Sequence, residues 1–331
     1  MEIRSARRLH RPARAETSAP RSSLGARLGS AGRIQFRDLC YDVLAGSSTN
    51  DEHTLLKGPM SKISADSNVN KHGLSRHIPS EIRRTIRQGC GFGCVICGAA
   101  LYQYEHINPE FQDAVAHDPA RMALLCAQCH DKVTRRRLSK ESVDAARKNP
   151  KCLQQGYTRD FLACGDNGEI LLNLGPIVTI GCKRILRILG DDVLWVNPPE
   201  VPGGPARLNA MFQNAGGEAI CEIVDNEIRV RKTNWDVEIV GPELTIRNGA
   251  GDIALVFRSE AGHSMRIERL RMRHRSVEVL IQKDGLLEFG ASNTFRQQLS
   301  GSMFFHTESC VEVFQDHLRI GGNSILRPGT M

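Results

Sequence analysis

Aromatic residues are scarce in this chain. Two Trp, 4 Tyr and 11 Phe serve 331 residues, so any core must be built from aliphatic side chains. Long apolar runs are missing too. The longest uncharged stretch of apolar character, Ile170 to Cys182, carries Asn173, Gly175 and Pro176 within 13 residues. A membrane-crossing helix needs about 18 or more, so no membrane partner is expected. No apolar stretch follows the first arginines, which argues against a secretory signal. The expected compartment is therefore cytoplasmic and reducing, where 11 cysteines favour metal binding over disulfides. Hydrophobic residues at 40% and charged residues at 24% are globular values, and the length suggests two domains.

The formal net charge of +7 invites a nucleic-acid reading. Its distribution withdraws the invitation. Residues 1–37 hold nine Arg, two Glu and no Lys, which is the whole excess; residues 38–331 hold 35 basic and 35 acidic side chains. Global charge therefore says nothing about function. Residues 1–75 read as a low-complexity, mostly disordered segment with one short apolar element at Phe36 to Leu44. Three origins fit it: an unstructured tail, a true start at Met60, or an Arg-rich organellar transit peptide.

Order is expected from residue 76. Pro79-Ser80-Glu81 reads as a helix start with Ser80 as N-cap. Ile82 and Ile86 share one face of that helix, and Gly89 is its stop. Arg83, Arg84 and Arg87 lie opposite, facing solvent or phosphate. From Ile170 onward the texture changes to short aliphatic runs between Gly, Pro, Asn and Asp turns, which predicts a separate all-β domain, bounded at 151–331. A repeat at an offset of 16 matches Glu222–Arg231 with Glu238–Arg247, each copy reading as strand, two-residue turn, strand. Further strands are expected at Leu208–Phe212, Ile253–Arg258, Met265–Arg271, Val277–Gln282, Leu286–Phe289 and Val311–Phe314. A sandwich is the first expectation for this domain, a β-roll or solenoid the second. Trp195 and Trp235 are expected in its core. Arg266, Arg269, Arg271, Arg273 and Arg275 fall on one strand face, suited to phosphate or to guarding a sheet edge. The β-domain carries no motif that points to chemistry.

The chemistry lies between 94 and 130. Cys94-Val95-Ile96-Cys97 and Cys126-Ala127-Gln128-Cys129 are two C-x₂-C knuckles, and two such pairs supply four thiolates for a tetrahedral zinc ion. Cys90 breaks the paired spacing. Cys40, Cys152, Cys164, Cys182, Cys221 and Cys310 read as small core hydrophobes. Between the knuckles, a strand over Leu101–Tyr104 ends in Glu105-His106, and a second over Met122–Leu125 leads into the second knuckle. His130 follows directly, and Asp131 to Arg137 reads as a helix. A zinc clamp would then bring one carboxylate and two imidazoles together.

Those residues resemble the HNH endonuclease family, with its ββα-metal fold and a structural zinc held by two C-x₂-C pairs. The matching pieces are Cys94-x₂-Cys97, Glu105-His106-Ile107 and Leu124-Leu125-Cys126-x₂-Cys129-His130, over residues 76–142. The fold class implied is α+β, a small HNH module over 76–150 followed by the β-domain. The resemblance implies that His106 is the general base and that Glu105 and His130 hold one catalytic Mg²⁺ or Mn²⁺. Cys94, Cys97, Cys126 and Cys129 would hold the structural Zn²⁺. One position departs from the family: Arg121 stands where an Asn is usual, five residues before the third cysteine. Arginine cannot ligate a cation, though it can hold a phosphate; His117 and Asp118, just upstream, are the substitutes at hand.

Local charge agrees with a nucleic-acid face. Residues 76–150 hold twelve basic and eight acidic side chains, and Lys132, Arg135, Arg136 and Arg137 follow His130 closely. With Arg121 they are the expected phosphate contacts, salt-sensitive and sequence-blind. The expected substrate is double-stranded DNA, through the resemblance alone. Two other readings stand beside the nuclease: a non-catalytic, zinc-clipped nucleic-acid-binding module, and a β-domain that binds a protein partner with the zinc module as accessory.

Overall fold

The computed structural model describes residues 68–164, 169–260, 264–283, 285–291, 295–322 and 324–326. The N-terminal arginines, Cys40 and the apolar stretch at 36–44 lie outside the described residues. All described residues fall within one unit, Ile63–Met331. Among them, no helix is long and apolar enough to cross a membrane.

The chain before 157 is mainly helical. Helix α1 spans Ser80–Cys90. Strands β1 (Gln103–His106) and β2 (Met122–Leu125) pair antiparallel, with Glu105 opposite Ala123 and His106 opposite Met122. Helices α2 (Ala127–Thr134), α3 (Lys140–Lys148) and α4 (Lys151–Gln155) follow. An aliphatic core of Ile86, Val95, Met122, Leu124, Leu125 and Val143 holds this part together. Every residue of β2 is buried, so the hairpin is pinned from both sides.

Several local expectations move. Ser80 is the first residue of α1 rather than its cap. Pro79 takes the N-cap position at φ −55°, ψ 146°, and no side chain caps the helix; the ring locks an extended entry that needs no N–H. The helix runs past Gly89 to Cys90, and Gly91 closes it at φ +71°. Helix α2 begins at Ala127, because the Cys126 sulfur accepts from Cys129 N–H and serves as its cap. Arg135, Arg136 and Arg137 therefore lie beyond the end of α2. Residues 68–75 also pack on this part of the fold: Asn70 Nδ2 donates to the carbonyls of Phe111 at 2.5 Å and Ala114 at 2.6 Å.

The rest is β-structure. The strands are β3 (Tyr157–Phe161), β4 (Leu171–Leu174), β5 (Ile177–Ile180), β6 (Arg184–Ile188), β7 (Asp191–Asn197), β8 (Arg207–Gln213), β9 (Ala219–Val224), β10 (Glu227–Arg231), β11 (Asp236–Val240), β12 (Glu243–Gly249), β13 (Asp252–Glu260) and β14 (Ser264–His274). There follow β15 (Val277–Ile281), β16 (Leu287–Ala291), β17 (Phe295–Leu299), β18 (Ser302–Phe305), β19 (Ser309–Val313), β20 (Leu318–Ile320) and β21 (Ser324–Leu326). One sheet runs β21-β20-β19-β6-β7-β8-β9-β10-β3; the other runs β11 to β17 in sequence order, with β4, β5 and β18 attached. Antiparallel pairing dominates, so a parallel solenoid does not describe it. Both sheets feed one aliphatic core, the arrangement of a sandwich.

The repeat is two hairpins. β9–β10 turns at Asp225 and Asn226, both at positive φ, while β11–β12 turns at Gly241 and Pro242. The two copies sit in different sheets. Strand β14 is interior, bonded to β13, β15 and β4, so its arginines guard no edge. A bulge at Glu268 restores the alternation, and Arg266, Arg271 and Arg273 are exposed. Trp195 and Trp235 are half-buried rather than core; the Trp235 ring lies 4.5 Å below the Arg84 guanidinium.

The α1 arginines turn toward the acidic side chains of β11: Arg83 and Arg84 are half-buried, 3.8 Å from Glu238 and Asp236 respectively. Arg87 is 3% exposed and forks onto Asp236, Nε to Oδ1 at 2.8 Å and Nη2 to Oδ2 at 2.7 Å. Its Nη1 reaches Glu238 and the Tyr104 hydroxyl, each at 3.0 Å. Burial opposes its charge, yet the Asp236 bonds hold its pKa above the ordinary value. The acidic pair on β11 draws the helix to the sheet. A second seam joins the first knuckle to the edge strand β3: Ala100 N donates to Arg159 O at 2.8 Å, and Arg159 N to Gly98 O at 3.1 Å. Both seams tie the chain before 157 to the β-structure.

Candidate functional site

The two knuckles meet. Cys94, Cys97, Cys126 and Cys129 place their sulfurs within 4.8 Å of one another, and Cys97 Sγ lies 3.6 Å from Cys126 Sγ. Sulfurs of a tetrahedral zinc site stand about 3.8 Å apart, given Zn–S bonds of about 2.3 Å. The backbone builds the first knuckle tightly. Cys94 N donates to Ala99 O at 2.8 Å and Gly98 N to Cys94 O at 2.9 Å, and Gly98 turns the chain at φ +83°. Four thiols so close cannot ionise together without a cation. The Cys97 hydrogen bond holds Cys94 down to about 5, and burial with the neighbouring Cys94 charge pushes Cys129 up to about 12. The cluster is able to hold a metal ion, and Cys90, buried with its thiol pushed up to about 11 by burial, stays out of it.

This clamp fixes the start of α2 against the β1–β2 hairpin and so brings His130 to Glu105. His130 Nε2 lies 2.9 Å from Glu105 Oε2. The other carboxylate oxygen meets the Lys140 ammonium, which also donates to the His106 carbonyl at 2.7 Å. Both oxygens of the Glu105 carboxylate are thus engaged, one by His130 and the other by Lys140. Lys140 supplies positive charge to the same carboxylate.

His106, the next residue of β1, has a partner of its own. Its Nε2 lies 3.2 Å from His117 Nδ1, and His117 Nε2 lies 2.9 Å from the Ser75 carbonyl. Phe111 packs on the His106 ring at 5.4 Å between centroids, with the Arg76 guanidinium 4.5 Å from the centre of the Phe111 ring. Burial, then the neighbouring His117, lowers the His106 pKa below its ordinary 6.5. The shift favours the neutral imidazole, the form that can accept a proton. Glu105, His106, His130 and Lys140 all line one open cleft of about 920 Å³, shared with Arg76 and Arg136.

The expected phosphate contacts divide. Arg136 lines this cleft. Lys132, Arg135 and Arg137 are exposed, with Arg135 bonded to Asp131 at 2.9 Å. Arg121 turns outward into an adjacent cleft, where it donates to Asn108 O at 3.2 Å. Its backbone still serves the hairpin, because Arg121 O accepts from Ile107 N at 2.9 Å. Asp118 caps the following turn through Ala120 N, which leaves His117 as the nearby residue that reaches His106.

Sequence reasoning missed Lys140, Ser75 and Arg76. Lys140 had a signal: a lysine in the first turn of a helix capped by Ser139 opposes the helix dipole, which suggests a specific acidic partner. No protein-family profile, curated protein or solved structure matches the chain.

Proposed function

We propose that this protein is a metal-dependent, HNH-type endonuclease that hydrolyses phosphodiester bonds in double-stranded DNA. The observation that carries the reading is the cleft in which Glu105 and His130, side by side, open onto the same space as a neutral His106. In the proposed reaction His106 takes a proton from water as the water oxygen bonds to phosphorus. The bond from phosphorus to the 3′ oxygen breaks, and that oxygen takes a proton from solvent. Glu105 and His130 would hold one Mg²⁺ or Mn²⁺, which when bound stabilises charge on the phosphate and the leaving oxygen. The four cysteines would hold Zn²⁺ and keep His130 opposite Glu105. Arg76, Arg136 and Lys140 would hold phosphates in the cleft, with Lys132, Arg135 and Arg137 along its approach. The β-structure would serve targeting or a protein partner from a fixed position.

A supercoiled plasmid tests this. Nicking in Mg²⁺ or Mn²⁺, stopped by chelation and by Glu105→Gln, supports the nuclease. DNA binding without nicking supports the non-catalytic module that the Arg121 departure allows.

A further inference from the structure

We infer that His117 is a positioning residue that fixes the tautomer of His106, in a relay that runs from the Ser75 carbonyl through both imidazoles. This rests on His106 being the base. A carbonyl oxygen only accepts, so the 2.9 Å contact from Ser75 requires a proton on His117 Nε2. In the neutral imidazole that leaves His117 Nδ1 bare. The bare nitrogen lies 3.2 Å from His106 Nε2, so His106 Nε2 carries the proton and donates it. His106 Nδ1 is then the nitrogen with a free lone pair, and it is the one that receives the proton from water.

The relay is held from outside. His117 is 8% exposed. Ser75 belongs to the segment before α1, which Asn70 ties to the β1–β2 loop through Phe111 O and Ala114 O. Phe111 then packs on the His106 ring, so ring and tautomer are fixed by one local structure. The Arg121 side chain donates to the Asn108 carbonyl instead. The orienting work that the usual Asn would do at that position passes to a residue four positions earlier.

The test has a spectroscopic and a kinetic arm, both on the full chain. With ¹⁵N-labelled histidine, the relay predicts a scalar coupling across the hydrogen bond between His106 Nε2 and His117 Nδ1, and a bare His106 Nδ1. A proton on His106 Nδ1 would overturn the proposal whether or not the protein cleaves DNA. Kinetically, His117→Ala should lower kcat by about 10- to 100-fold, part of what a general base contributes, with KM unchanged. His117→Asn, whose Oδ1 can accept from His106, should recover most of the loss. In a His106→Ala background His117→Ala should have no further effect. Equal losses for His117→Ala and His117→Asn, or an undiminished loss without His106, would make the role merely structural and sink the relay. If His106→Ala cleaves as wild type does, the base assignment fails, and the coupling alone decides the relay.

Discussion

Asp236→Asn is the most informative perturbation of the fold, because it leaves the shape and removes one charge. Arg87 is 3% exposed and the Asp236 side chain 2%, so this pair is out of water. Removing one partner of a buried pair costs about 3–5 kcal/mol, chiefly through the charge left behind. Here Glu238 still accepts from Arg87 at 3.0 Å and is 21% exposed, so some compensation remains. The expected loss is near the lower bound, about 3 kcal/mol, or a little over a hundredfold in the unfolding equilibrium. In urea, with a slope of about 3 kcal/mol/M, the midpoint falls by about 1 M at unchanged slope. Replacing both residues, Arg87→Met with Asp236→Leu, should cost far less than the sum of the single changes. A midpoint shift below about 0.3 M for Asp236→Asn would refute the claim that this pair binds α1 to the sheet.

Other outcomes follow from the site. Stripping the four-cysteine metal should unfold the region of the knuckles, since structural zinc sites contribute about 10 kcal/mol or more; proteolysis before and after chelation, with metal content by mass spectrometry, reads this out. Because burial and His117 lower the His106 pKa, the neutral base persists below pH 6.5. The acid limb of kcat/KM should therefore fall below 6.5, and a half-fall at or above it would contradict the assignment. Gly93→Ala would set a Cβ 2.7 Å from Ala99 O and 2.9 Å from Cys152 Sγ, costing about 1–3 kcal/mol by overpacking, measurable in the same urea titration. A chain beginning at Met60 should cleave as the full chain does; lost cleavage would show that the N-terminal arginines act on DNA.

What could be read in the sequence was what is local. The knuckles needed only their spacing, and Glu105-His106 and His130 needed only a hairpin to bring them together. The β9–β10 and β11–β12 hairpins followed from a repeat with two-residue turns. What escaped notice depends on contacts distant in sequence. Arg87 is separated by 149 positions from Asp236, and nothing in the helix pattern distinguishes a solvated arginine from one bound for a β-strand. Ser75 and His117 lie 42 positions apart, so their bond could not be read from either neighbourhood. Strands β4 and β5 were missed because each has only 4 residues, buried and half-buried in alternation, and three parallel pairings, β4–β14, β5–β18 and β6–β19, link distant parts of the chain. Cys126 as a helix cap was hidden by its place in a knuckle able to hold a metal ion.

The central claim is that His106 acts on water at a phosphodiester. Supercoiled plasmid incubated in Mn²⁺ with the full chain and with its His106→Ala variant, both verified to retain the four-cysteine metal, tests it most directly. The account predicts nicking by the wild type and at least about a hundredfold slower nicking by the variant. Equal nicking by the two, or none above buffer by either, would contradict it.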